Sequence, residues 1–186
     1  MALPHSPAAR HRMVAQGFTD RVAGVADWAA PAPVDGWTAR DVVGHLVDWF
    51  PRFLTAGGIE LAPGPRVVDD PTAAWRHHTD QVQALLDAGG TREFSHPMVG
   101  LMPLAEAVDR FYISDVFMHT WDLARASGQA VALDEDFCAS LLDGLSQMAE
   151  VLRSSGQYGP AIPVADDAPI QDRLMGFIGR DPGWRA

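Results

Sequence analysis

Proline and glycine divide this chain, and between the divisions the apolar residues recur three or four positions apart. The dividing residues are Pro31-Ala32-Pro33, Gly57-Gly58, Gly89-Gly90 and Gly128. Such a recurrence puts side chains on one face of a helix, whereas a half-buried strand needs strict alternation. The pattern restricts the chain to packed helices. Its 186 residues, 47% of them apolar, suffice for one domain with a real core, spanning 1–186.

The segments give four long helices. The first is predicted from Pro7 to Trp28, with Met13, Val14, Phe18, Val22, Val25 and Trp28 on its apolar side. The second starts at Thr38, where Asp41 three residues on completes a capping box. Its stripe is Val42, His45, Leu46, Trp49 and Phe53, and Pro51 is expected to kink it or end its regular part. The third runs from Pro71 to Ala88 with Asp70 expected as its cap, and Gly89-Gly90 ends it. Thr91 to Met102 lacks a helical pattern and suits a short hairpin.

The fourth is predicted as one run from Pro103 to Ser127, with Leu104, Val108, Phe111, Tyr112, Asp115, His119, Leu123 and Ala126 on one stripe. A fifth helix is expected from Asp134 to Ser154, with acidic residues at its positive end. A loop from Gly156 to Val164 and a short helix from Pro169 to Ile178 follow. The fold class expected is all-α, a four-helix bundle with an extra short helix and irregular connections.

Composition removes several functions. All 14 basic residues are arginine, against 24 acids, for a net charge of −10. Without lysine there is no Schiff base and no P-loop. The acidic balance argues against nucleic acid as a partner. No apolar run is long enough to span a membrane, and Met1 to Arg12 lacks the apolar core of a signal peptide. The single cysteine, Cys138, suits a reducing cytoplasm and reads as an inert buried thiol.

The informative pair is Asp115 and His119. Four residues apart on a helix, they share a face at about 6 Å between Cβ atoms and can share one metal ion. His45, on the inward stripe of another helix, can add a third ligand. Two imidazoles and a carboxylate leave coordination positions open, as in catalytic zinc and facial-triad iron sites. The competing reading makes these residues hydrogen-bonded core groups, with Asp115 paired to an arginine.

Three stretches together carry a family likeness. They are Asp35-Gly-Trp-Thr-Ala-Arg-Asp-Val-Val-Gly-His45-Leu-Val-Asp-Trp49; Asp115-Val-Phe-Met-His119-Thr-Trp-Asp-Leu-Ala-Arg125-Ala-Ser-Gly128; and Gly159-Pro-Ala-Ile-Pro-Val with Gln171-Asp-Arg-Leu and Gly179-Arg-Asp-Pro182. Together they resemble the actinobacterial branch of the DinB-like superfamily, and in particular the metal-binding domain of mycothiol-dependent maleylpyruvate isomerase. The resemblance implies a DinB-like bundle holding a divalent metal on His45, Asp115 and His119. Zinc is the first choice, with nickel, manganese or iron as alternatives. It further implies mycothiol as co-substrate and a small electrophile as substrate, for a thiol transferase or isomerase. The alternative is a non-catalytic, metal-containing module that binds a small ligand. Two departures from that isomerase are expected: its second domain is without a counterpart in these 186 residues, and its usual glutamate is the shorter Asp115. Spare apolar faces on the first and fifth helices allow a homodimer.

The other polar candidates each carry a plainer role. Asp122 is a second-layer group behind His119 or an ion-pair partner of Arg125. Trp49 and Trp121 wall a pocket or pack the core, and Tyr112 is a proton donor or a core-edge hydroxyl. His77 is expected in solvent, His78 inward, His96 in the irregular segment rather than at a site mouth, and His5 and His11 exposed. Arg66, Arg92 and Arg173 are equal candidates for an anionic substrate group.

Overall fold

A computed structural model describes residues 2–89, 92–154 and 158–186. Gly90, Thr91 and Gly156, which figure in the expected helix ends and loops, lie outside the described residues, as does Met1. Helices α1 (Pro7–Ala23), α2 (Ala39–Ala56) and α3 (Pro71–Gly89) come first. A hairpin of β1 (Glu93–His96) and β2 (Gly100–Pro103) follows, pairing Glu93 with Pro103 and His96 with Gly100. Then come α4 (Leu104–Ala107), a π-helical segment (Val108–Ile113) and α5 (Ser114–Ala126). The chain continues through α6 (Glu135–Ser146), α7 (Ala149–Ser154) and α8 (Ile170–Phe177). No helix among the described residues is long and apolar enough to cross a membrane.

The bundle is α1, α2, α3 and α5, in which α1 and α2 each pack on both α3 and α5. This bears out the all-α expectation. Its middle is aromatic: Phe18 meets Trp75 at 4.4 Å between ring centroids, and Phe50 stacks on Tyr112 at 4.1 Å. The Trp75 indole N–H donates to Thr19 Oγ1 at 2.8 Å, so this buried ring keeps its polar atom satisfied.

Caps start α2 and α3 where the sequence places them, and a third caps α6 at its acidic start. Thr38 and Asp41 form the reciprocal box of α2, Asp70 Oδ1 accepts from Ala73 N, and Asp134 Oδ1 accepts from Phe137 N. Helix α2 continues through Pro51 to Ala56.

Three expectations need correction. The first helix stops at Ala23 rather than Trp28. Gly24 closes it, and a Cβ at Gly24 would stand 2.5 Å from the Gln129 side chain, whose Nε2 donates to Arg21 O at 2.8 Å. The expected fifth helix breaks after Ser146, where Met148 N bonds Leu145 O in a tighter turn.

The run from Pro103 to Ser127 is not one amphipathic helix. The wide π turn interrupts it just before Asp115. Beyond that turn, α5 is buried on nearly every side, with Val116, Phe117, Met118 and Trp121 as deep as Leu123. Burial on nearly every side means that α5 is enclosed by neighbours, and its buried His119 and Asp122 bond each other.

Candidate metal centre

Helix α2 brings His45 and Trp49 to face α5, which carries Asp115 and His119. His45 Nε2 lies 3.0 Å from Asp115 Oδ2, and His119 Nε2 lies 3.4 Å from Asp115 Oδ1. Ligand atoms of the three residues all fall within 4.8 Å of one another. Side-chain exposure falls from 31% at His45 through 19% at Asp115 to 6% at His119, so the cluster opens to solvent on the His45 side. No arginine among the described residues bonds Asp115, contrary to the competing expectation.

Each member has a defined support. The Trp49 indole N–H donates to Asp115 Oδ2 at 2.9 Å. Trp37 stacks on His119 at 5.8 Å and leans on His45 at 5.2 Å, roofing both imidazoles. His119 Nδ1 pairs with Asp122 Oδ2 at 2.8 Å. Asp122 does not pair with Arg125; it is gripped by Arg180, whose Nε and Nη2 each stand 3.1 Å from its oxygens. Arg125 lies over the Trp121 ring instead, at 5.0 Å, and Trp121 is core.

The charges follow from these contacts. Burial would raise the Asp115 carboxyl, but the His119 and His45 imidazoles outweigh it and hold it below the usual carboxylate range. Burial likewise works against a charged His119, yet Asp115 and Asp122 bring its pKa up to about 9. With Nδ1–H committed to Asp122, Nε2 confronts a carboxylate oxygen. Two lone pairs at that separation need a proton or a cation between them. A divalent ion can replace the proton, which is the respect in which the residues fit a metal.

Residues 11–124, more than half of the chain, match the family model described as mycothiol maleylpyruvate isomerase N-terminal domain. The chain belongs to that family. Membership in the mycothiol maleylpyruvate isomerase N-terminal domain family accords with the DinB-like expectation. Two uncharacterized proteins of Mycobacterium tuberculosis, from strains CDC 1551 and H37Rv, are each 27% identical over 186 residues, spanning 94% of this chain and 97% of theirs. No solved structure matches significantly. His45, Asp115, His119 and Asp122 lie inside the span matched to the mycothiol maleylpyruvate isomerase N-terminal domain; Arg180 lies beyond it.

The remaining candidates sort clearly. Tyr112 is buried against Phe50 and Trp49, and its Oη has no partner among the described residues. His96 stacks on Phe53 at 4.3 Å, accepts the Met98 N–H on Nδ1, and is not part of the His45–Asp115–His119 group. His77 bonds Ala62 O, and His78 points into the core as expected. His11, expected in solvent, is buried, with Nδ1 2.8 Å from Gln83 Oε1 on α3. Cys138 is buried, and that burial, with Asp134 and Glu135 beside it, pushes its thiol up to about 12, so it is no nucleophile. Arg66 pairs with Asp69, and Arg92 and Arg173 are exposed.

Sequence reasoning missed Trp37, Tyr158 and Arg180. Tyr158 is half-buried within electrostatic reach of Asp115 and Arg180; burial and the Asp115 charge push its hydroxyl up to about 12. Trp37 and Arg180 stood inside the motifs that carry the family likeness, which was the available signal.

Proposed function

We propose that the protein holds one divalent metal ion on His45, Asp115 and His119 and brings a low-molecular-weight thiol, mycothiol in the first instance, to a small electrophile. The reaction class is thiol transfer or thiol-assisted isomerisation. One observation carries the reading: Asp115 Oδ1 and His119 Nε2 face each other at 3.4 Å while Asp122 already occupies the other nitrogen of His119. Family membership supports both the metal and the thiol. Two nitrogens and one carboxylate oxygen suit Zn²⁺ with a position left open, and Ni²⁺, Mn²⁺ and Fe²⁺ accept the same donors.

When bound, such an ion supplies Lewis acidity that makes a coordinated thiol or water acidic near neutral pH. The chain's own residues do the rest. Asp122 keeps the proton on Nδ1 of His119, Trp49 holds Oδ2 of Asp115, and Trp37 keeps water from the roofed side of both rings. The reacting thiol comes from outside, since Cys138 is buried and held protonated. A buried, unpaired cysteine also accords with work in a reducing cytoplasm.

The test is metal content of untagged protein by mass spectrometry, beside His45→Ala and Asp115→Ala. Near-stoichiometric metal in the parent, absent from both variants, is expected. Metal-dependent consumption of thiol and electrophile must follow. Ligand binding without consumption would leave a metal-containing binding module. No metal in the parent after incubation with Zn²⁺, Ni²⁺, Mn²⁺ or Fe²⁺ would defeat the reading.

A further inference from the structure

Beyond the span that matches the family, the chain returns to the cluster at Arg180. Its guanidinium grips Asp122 from two sides, Nε to Oδ1 and Nη2 to Oδ2, each at 3.1 Å. The Asp122 side chain is only 1% exposed. Oδ2 of the same carboxylate takes Nδ1 of His119 at 2.8 Å. Arg180, Asp122 and His119 thus form an unbroken line that ends at the nitrogen facing Asp115. A guanidinium that engages both carboxylate oxygens fixes the plane of the carboxylate as well as its charge, which a lysine would not do.

Arg180 is itself placed by a close-fitting backbone. Helix α8 ends through Gly179 N to Gly176 O at 3.1 Å and Arg180 N to Met175 O at 2.8 Å, with Gly179 at φ +83°. A Cβ on Gly179 would stand 3.0 Å from the Gly159 backbone and from Pro160 O. One on Gly176 would stand 2.7 Å from Ile162 O, and Ile162 N donates to Gly176 O at 2.8 Å. The 159–164 segment therefore lies against the end of α8 with backbone meeting backbone. Arg180 Nη1 also donates to Ile178 O at 3.1 Å, and Arg125 reaches Pro182 O at 3.4 Å. The nearer arginine thus contacts the segment that carries the farther one.

We infer that Arg180 is a positioning residue for the metal centre: through Asp122 it keeps the proton on His119 Nδ1 and turns Nε2 toward Asp115. A segment outside the matched span thereby becomes a working part of the site. The inference rests on the metal reading above.

The experiment is Zn²⁺ affinity of the full chain by chelator competition, for the parent, Arg180→Met, Arg180→Lys, Asp122→Asn and the Arg180→Met/Asp122→Asn double variant. Loss of an outer partner of a ligating histidine weakens metal binding about 10- to 100-fold. Arg180→Met is expected in that range, Arg180→Lys between it and the parent, and the double variant no weaker than Asp122→Asn alone. The Nδ1 proton of His119 should give a slowly exchanging NMR resonance in the parent that broadens in Arg180→Met. Affinity within twofold of the parent, or penalties that add in the double variant, would overturn the inference. Should Arg180→Met fail to fold, Arg180→Lys supplies the same comparison. A parent that takes up none of Zn²⁺, Ni²⁺, Mn²⁺ or Fe²⁺ defeats the metal reading instead. The His119 proton in metal-free protein then decides: exchange that accelerates in the variant supports the positioning role, and unchanged exchange overturns it.

Discussion

Trp49 donates its indole N–H to Oδ2 of Asp115 at 2.9 Å, and His45 approaches the same oxygen at 3.0 Å. The other oxygen is thereby left to His119. Trp49→Phe keeps an aromatic ring beside Phe50 and Phe53 and removes the donor. The variant is expected to fold and to bind Zn²⁺ about tenfold more weakly by calorimetric titration. Unchanged affinity would reduce Trp49 to packing.

Metal binding should appear in the melting temperature. A ligand at 100 times its Kd stabilises by about 2.7 kcal/mol. For a chain of this size that is a rise of about 5–10 °C. Asp115→Asn keeps the shape of the side chain and removes its charge, and should melt at one temperature with or without Zn²⁺. A matching rise in the variant would place the ion elsewhere.

His78 sets an acid limit on stability. Its ring is buried against Phe50 and Tyr112, and Nε2 has no partner among the described residues. Burial, aided by His11 on α1 and His77 on its own helix, pushes its pKa down to about 3. An unfolded histidine, near 6.5, then takes up a proton that the folded one refuses. The contribution of His78 is therefore complete above pH 6.5 and is lost as pH falls toward 3, by up to about 1.4 kcal/mol per pH unit. Urea titrations between pH 7 and 4 should show a shallower decline for His78→Phe than for the parent, with the remaining slope partly from His11, which burial also lowers.

Tyr112 tests whether a buried hydroxyl does anything. Its ring is fully packed and its Oη lacks a protein partner. Removing an unpaired buried polar atom while keeping shape is close to neutral or stabilising. Tyr112→Phe should melt at or above the parent temperature by calorimetry. A loss of more than about 1 kcal/mol would mean that an ordered water serves the hydroxyl.

What the sequence disclosed was local. The caps at Thr38 and Asp70 are contacts within three residues, so their chemistry can be read along the chain. The Asp115–His119 pair follows from helical periodicity, and His45 from its place on an apolar stripe. What stayed hidden depends on distant partners. Gly24 ends α1 because Gln129 reaches it from the far end of α5. His11 is buried because α3 presents Gln83 to it. Asp122 had an obvious neighbour in Arg125, yet its partner is Arg180, 58 positions along.

The π segment at Val108–Ile113 separates α4 and the hairpin from the helix that carries Asp115 and His119. A turn closed by i→i+5 bonds holds one residue more than an α-turn. Deleting one residue there would let the run close as plain α-helix, swinging α4 and the hairpin about 100° relative to α5. Asp115 and His119 would keep their mutual spacing throughout. Single-residue changes in chain length at this point thus offer relatives a way to re-aim α4 and the hairpin while the ligands on α5 remain where they are.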